Sequence, residues 1–171
     1  MQARPASIKV RALQWLTQRE HSRPELRSKL LHLLARCAPD AAAPDAAPTN
    51  PAAQVDVLLD WLAAHGHLSE TRFVESRVQA RQARFGNLRI QQELKQHGLR
   101  LDHDAQQTLR QTEAQRATEV WRKKYGQPAI DATQRVRQMR FLAGRGFSSD
   151  VVRQVVLGAG RNDDSAESLP L

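Results

Sequence analysis

Three times along this chain the same signal closes a helix-like stretch: a leucine four residues before a glycine, an apolar residue within two positions after it, then a polar residue able to cap a new helix. The first is Trp61-Leu62-Ala63-Ala64-His65-Gly66-His67-Leu68-Ser69-Glu70. The second is Glu93-Leu94-Lys95-Gln96-His97-Gly98-Leu99-Arg100-Leu101-Asp102, and the third Phe141-Leu142-Ala143-Gly144-Arg145-Gly146-Phe147-Ser148-Ser149-Asp150. A glycine so placed takes the left-handed conformation that ends a helix, and the apolar residue behind it folds back on the last turn. The next helix then begins at once. A chain punctuated in this way is confined to helices joined by tight turns, the pattern of tandem helical modules. The glycines lie 32 and 48 residues apart, so the repeat is imperfect.

The rest of the 171 residues agree with an all-α fold. Ala, Leu, Gln and Arg dominate, and all are strong helix formers. Val and Ile never gather into alternating runs bounded by turn residues, so no strand is predicted. Ser22-Arg23-Pro24-Glu25 reads as a capping box, with Pro24 in the first turn. Leu26, Leu30, Leu33 and Leu34 follow at helical spacing, and Val55, Leu58, Leu59 and Leu62 make a third helix. About nine helices are predicted, near 7–19, 22–36, 54–65, 69–84, 87–97, 102–111, 113–125, 131–144 and 148–158. They group into three three-helix units, 1–66, 67–111 and 112–160, each too small for a large core of its own. Ala38 to Ala53, with Pro39, Pro44, Pro48 and Pro51, is expected to be a loop between two helices. The acidic tail 161–171 is expected to be disordered.

The net charge is +8, and its position matters more than its total. Residues 1–66 carry 8 Lys/Arg against 6 Asp/Glu, residues 67–100 carry 7 against 3, and residues 126–161 carry 6 against 2. The last ten residues carry three Asp/Glu and no Lys/Arg. An excess of this kind suits a polyanion such as nucleic acid, or an acidic protein surface. The single Cys37 excludes an internal disulfide and a multi-cysteine metal site, and reads as a buried inert thiol. No signal peptide and no membrane-length apolar run is present, so the expectation is a cytoplasmic protein without a membrane partner.

The stretch 69–86, SETRFVESRVQARQARFG, is the most informative. With Phe73 at zero, Val74, Val78 and Phe85 fall roughly 100–140° round the helix, and Arg77, Arg81 and Arg84 at about 40°, 80° and 20°. The arginines thus sit beside the apolar sector, where an ordinary solvated charge row would not. Two readings stay open. The guanidinium groups cover apolar surface or pair with carboxylates, or they line a groove and meet phosphates or acidic partner residues. Arg116, Arg122, Lys123 and Lys124 form a second basic set near a helix end, and Arg135, Arg137, Arg140 and Arg145 a third, with Arg153 beyond. Together such sets can form a basic stripe fit for a filament.

Catalytic constellations are poor. Six histidines include one close pair, His65 and His67, with no Cys or carboxylate at ligand spacing. No phosphate-loop, dinucleotide or nucleophile-elbow pattern exists, so neither an enzyme nor a cofactor is expected. Glu70, Glu75 and Asp102 read as caps and surface charges. Trp15, Trp61, Phe73, Trp121, Phe141 and Phe147 sit at core-like positions, whereas Phe85 and Tyr125, beside Gly86 and Gly126, are the candidates for base stacking.

These residues resemble the RecX family of regulatory proteins. The resemblance rests on Arg19-Glu20-His21-Ser22-Arg23-Pro24-Glu25-Leu26, on Gly66-His67-Leu68-Ser69-Glu70-Thr71-Arg72-Phe73, on Gly86-Asn87-Leu88-Arg89-Ile90-Gln91-Gln92-Glu93-Leu94 followed by Gly98-Leu99, on Lys124-Tyr125-Gly126, and on Phe141-Leu142-Ala143-Gly144-Arg145-Gly146-Phe147. It covers roughly residues 7–158 in unbroken order. The chain departs from the family pattern in its longer segment 38–53, in His67 where an aromatic is usual, and in the single acid of Glu70-Thr71. The resemblance implies a curved, elongated array of the three units. It further implies a monomeric negative regulator of the RecA recombinase, seated in the groove of the RecA–single-stranded DNA filament and blocking its extension or promoting its disassembly. Recombination, ATP hydrolysis and SOS coprotease activity would be restrained. RecA and single-stranded DNA are the expected partners, with double-stranded DNA a further ligand and no small-molecule substrate. The candidate contact residues are Arg19, Arg23, Arg27, Arg72, Arg77, Arg81, Arg84, Arg89, Lys95, Arg122, Lys123, Lys124, Arg140 and Arg145. The competing reading is a stand-alone helix-turn-helix-like DNA-binding protein.

Overall fold

The computed structural model describes residues 7–37 and 50–158, which hold eight helices and no strand. These are α1 (Ile8–Gln18), α2 (Arg23–Cys37), α3 (Pro51–Ala64), α4 (Glu70–Gln82), α5 (Asn87–Gln96), α6 (His103–Lys124), α7 (Ala132–Gly144) and α8 (Ser149–Gly158). The chain forms two compact units, residues 1–76 and 77–171.

Two sequence expectations are corrected. The helices expected at 102–111 and 113–125 are one 22-residue helix, α6. Asp102 starts it by accepting a 2.7 Å hydrogen bond from the Ala105 N–H. At the expected break no Gly or Pro intervenes, and the Thr112 hydroxyl donates back to the Thr108 carbonyl at 3.1 Å. The Ala/Pro-rich segment also ends sooner than expected. Asn50 caps α3 by accepting from the Ala52 and Ala53 N–H groups, and Pro51 occupies the first turn, where its missing N–H costs nothing. Residues 38–49, the Cys37 side chain and the acidic tail 161–171 lie outside the described residues.

The repeated stop signal works as its chemistry requires. Gly66, Gly98 and Gly146 have φ of 72°, 73° and 82°. After each, the next N–H reaches the carbonyl five residues back: His67 to Leu62, Leu99 to Leu94, and Phe147 to Leu142, at 2.9, 3.0 and 3.3 Å. Carbonyls that a helix end leaves orphaned are thereby satisfied, and the chain is turned into the next helix.

In the first unit α2 packs between α1 and α3. Ala12, Leu26, Leu30, Val55, Leu59 and Leu62 are fully buried there. His21 is buried with them, 1% exposed. Its Nδ1–H donates to the Arg19 carbonyl at 2.9 Å, and its Nε2 accepts from the Lys29 ammonium at 3.0 Å. Burial, then the neighbouring Arg19 and Lys29 charges, push the imidazole pKa down, against the pull of the Arg19 carbonyl and Glu25. The fold therefore holds His21 neutral, while an unfolded chain takes up a proton below its ordinary pKa of about 6.5. By linkage, stability is full above that pH and is lost as pH falls through the depressed folded value. The expected result is a urea midpoint for the first unit that drops as pH is lowered from 7 to 5, and a His21→Gln variant that lacks this slope. A wild-type midpoint flat across that range would contradict the assignment.

In the second unit α6 packs on α7 and α8, and α5 packs on α6. Trp121, Leu142, Phe147, Val152, Val155 and Val156 form its main cluster. The indole N–H of Trp121 is satisfied by the Gln138 amide oxygen at 2.8 Å. A buried polar hub stands beside it. Arg116, 8% exposed, donates from Nη1 to the carbonyls of Gln82 and Phe85, each at 3.0 Å. Its Nη2 donates to Asn87 Oδ1 at 2.6 Å and to the Leu109 carbonyl at 3.0 Å. Glu113, also buried, accepts from the Asn87 N–H at 3.0 Å and from the Ser148 hydroxyl at 3.0 Å. One turn of α6 thus fixes the α4–α5 corner and the start of α8.

Candidate nucleic-acid interface

The predicted contact residues divide sharply by environment. In the first unit each of the four predicted contact arginines has a carboxylate. Arg19 pairs with Glu25, and Arg23 with Asp60 at 2.6 Å. Arg27 grips Asp56 with two bonds, 2.7 and 3.1 Å, and its guanidinium holds the Asp56 carboxyl below the usual carboxylate range. Arg72 meets Glu20 at 2.7 Å and also donates to the Gly66 carbonyl at 2.9 Å. Ion pairs at such exposure add little stability, but they give these guanidinium groups partners inside the fold.

In the second unit the arginines converge. Arg81 leaves α4, Arg89 leaves α5, and Arg145 lies in the α7–α8 turn, yet all three lie over the Phe85 ring at 5.6, 5.7 and 6.0 Å from its centroid. Arg145 also lies 4.7 Å from the Phe141 centroid, and Tyr125 meets Phe141 edge-on at 5.4 Å. Half-buried Phe85, Arg145, Phe141 and Tyr125 therefore follow one another in a ladder, with Arg81 and Arg89 also at Phe85. Arg145 is steadied by donating to the Arg84 carbonyl at 3.2 Å. Beside the ladder, Arg77, Arg81, Arg89, Gln92, Gln96 and His97 line a polar groove. Glu93 serves both Arg81, at 2.9 Å, and Arg89, at 3.7 Å. Glu93 is thus one carboxylate shared by two guanidinium groups, while Arg84 and Arg145 add cations that no ion pair among the described residues engages.

Backbone approach makes the convergence possible. The Gly86 N–H donates to the Arg145 carbonyl and the Leu88 N–H to the Gly146 carbonyl, both at 3.0 Å. A Cβ on Gly86 would lie 2.2 Å from the Gly146 oxygen, so only glycine lets the two turns meet. The arrangement can bind bases and phosphates together. Aromatic faces stack on bases, and guanidinium planes stack or bond phosphate oxygens in pairs.

Arg84, Lys95, Arg122, Lys123, Lys124 and Arg140 are exposed, and their side chains have no hydrogen bond or ion pair among the described residues. The three basic residues Arg122, Lys123 and Lys124 close the last turn of α6, where the helix dipole favours cations. Arg116 departs from the basic set in which its sequence position puts it: it is interior and its donors are spent on the fold. Phe141, at a core-like position, packs half-buried against the core cluster and also flanks Arg145, a pairing that its i,i+4 spacing permits. Trp61 likewise packs half-buried against the core cluster of the first unit, with His65 stacked on it. Among the described residues no group of His, Cys, Asp or Glu is placed to hold a metal, and no helix is long and apolar enough to cross a membrane.

Comparison with known proteins gives this architecture a lineage. Residues 69–102 match the RecX second three-helix domain and residues 111–156 the RecX third three-helix domain. The match to the third domain begins inside α6, and the match to the second ends at Asp102, just before that helix. The Regulatory protein RecX of Leptothrix cholodnii is 48% identical over 160 residues, covering 92% of this chain and 92% of that protein. Those of Ralstonia pickettii and Pseudomonas entomophila are 43% and 38% identical, covering 91% and 90% of this chain and 89% and 92% of theirs. Helical modules closed by the same turns, and identity spread over nearly the whole length of several relatives, make this chain a member of the RecX family of regulatory proteins.

Proposed function

We propose that this protein regulates RecA negatively by binding the RecA filament on single-stranded DNA, in the filament groove, where it blocks extension or promotes disassembly. The observation that carries this reading is the arginine–aromatic ladder of the second unit. Its cations suit phosphates and acidic side chains, and its half-buried rings suit unpaired bases, which a RecA-coated single strand supplies together. The regulatory character of the family favours binding over chemistry.

Titrating the protein into RecA on single-stranded DNA should suppress ATP hydrolysis at or below equal ratios and shorten the filaments. Unchanged hydrolysis in excess protein would end this reading. Sequence-selective binding to duplex DNA without any effect on RecA would point instead to a stand-alone helix-turn-helix regulator. The ladder itself has a sharper test. Arg84→Gln, Arg89→Gln and Arg145→Gln together keep the aliphatic stems and remove three charges. Affinity for single-stranded DNA at low salt should fall about tenfold to a hundredfold, with the salt slope reduced by about 2. Helical circular dichroism should be retained. An unaltered salt slope would remove these residues from the interface.

A further inference from the structure

A second group of rings, in the first unit, has no part in the ladder. α3 ends on Trp61, His65 and the left-handed Gly66, and the turn brings His67 back beside the same indole. The His65 ring lies 4.0 Å from the Trp61 ring and 24° from parallel. His67 lies 5.7 Å away and 25° from parallel. Lys9, from α1, places its ammonium 3.4 Å from the Trp61 centroid. The His65 Nδ1–H donates to the Trp61 carbonyl at 2.8 Å, which fixes that imidazole on the indole. His65, His67 and Lys9 are exposed, and Trp61 is half-buried, rooted in the unit's core cluster.

We propose that this column is a stacking site for an unpaired base of single-stranded nucleic acid, with Lys9 meeting the adjoining phosphate. The rings are already ordered by a helix end and a tight turn, so a base that extends the column loses little further side-chain freedom of the protein. Two exposed imidazoles, each within 25° of the indole plane, offer a π face to any base, which suits sequence-independent binding. The neighbouring arginines Arg23, Arg27 and Arg72 are occupied by Asp60, Asp56 and Glu20, so this part of the surface is not a general phosphate track. A ring-led contact with one cation is what remains. Duplex DNA hides its base faces and does not fit. The inference rests on the nucleic-acid part of the proposed function and not on its RecA part.

The test uses the full chain without RecA. An oligothymidylate carrying 5-iododeoxyuridine is photocrosslinked to the protein, and the adducts are mapped by mass spectrometry. Adducts at Trp61, His65 or His67 are expected, and a hairpin duplex of the same length should give none there. His65→Ala with His67→Ala should weaken oligothymidylate binding about tenfold. His67→Phe keeps a stacking face and should retain binding, which separates loss of the platform from loss of the fold. Lys9→Gln should lower the salt slope by about 1. Wild-type affinity in the double variant at an unchanged unfolding midpoint would overturn the proposal, as would equal crosslinking to the duplex. With RecA absent, such a failure leaves action on the filament to be judged by ATP hydrolysis alone.

Discussion

Replacing Arg116 with methionine is expected to destabilise the second unit by about 3–5 kcal/mol, the cost of breaking a buried, fully bonded charge on one side. Methionine restores the apolar bulk of the stem but none of the donors. The carbonyls of Gln82, Phe85 and Leu109 and the amide oxygen of Asn87 then lose a partner in or beside the interior. Each buried acceptor left unpaired costs about 1–3 kcal/mol, so even partial relaxation leaves a large deficit. Burial lowers the guanidinium pKa while the charge of Glu113 pulls it back up, and an arginine starts high enough to stay charged at neutral pH. Lysine would keep the charge but cannot present a planar fork to four acceptors, so Arg116→Lys should recover only a fraction of the loss. The measurement is urea unfolding followed at Trp121 by fluorine-labelled tryptophan, with Trp15 and Trp61 reporting the first unit. The Trp121 transition should move to much lower urea while the other two stay in place. A Trp121 midpoint within about 0.5 kcal/mol of wild type, the range of ordinary surface substitutions, would show that water replaces the guanidinium without penalty.

The same residue marks where sequence reading stops. Helix ends are legible because their causes are local. A left-handed glycine, an apolar residue behind it and a polar cap lie within a few positions, and Gly66, Gly98 and Gly146 all close as those residues require. Asp102 as a cap and Ser22 as an N-terminal hydroxyl acceptor for Glu25 follow from the same short range. The expected division of α6 into two helices has no local cause, since no Gly or Pro between Asp102 and Tyr125 interrupts the chain. Arg116 looks like a terminal cation until the α4–α5 corner is laid on it, and no local pattern announces that corner. The candidate site was legible to the same depth. The angular positions of Arg77, Arg81 and Arg84 beside an apolar sector marked α4 as unusual, and its neighbour Glu93 explains part of it. That Arg145, sixty residues after Phe85, lies over the same ring depends on two backbones touching, which spacing along the chain does not encode.

That touching point gives the other large effect. Gly86→Ala is expected to cost about 3 kcal/mol or more, because the added methyl meets main chain and not a yielding side chain. Its Cβ would stand 2.2 Å from both the Gly146 carbonyl oxygen and the Phe147 nitrogen, so one turn must move away from the other. The bonds from Gly86 to Arg145 and from Leu88 to Gly146 would be broken or stretched with it. Gly146→Ala should be at least as severe: its φ of 82° is unfavourable for a side chain, and its Cβ would press on Arg89 at 2.5 Å. Gly144→Ala is the control. It ends α7 without a positive φ and has nothing within 4 Å, so alanine there should be neutral or stabilise by about 0.5–1 kcal/mol. Separation of the turns also pulls Arg145 off Phe85 and opens the ladder. Gly86→Ala should therefore weaken single-stranded DNA binding even at temperatures where the second unit remains helical. Glycine-to-alanine variants at 86 and 144 that unfold at the same urea concentration would mean that the two turns do not lean on each other, and the ladder would lose the contact that assembles it.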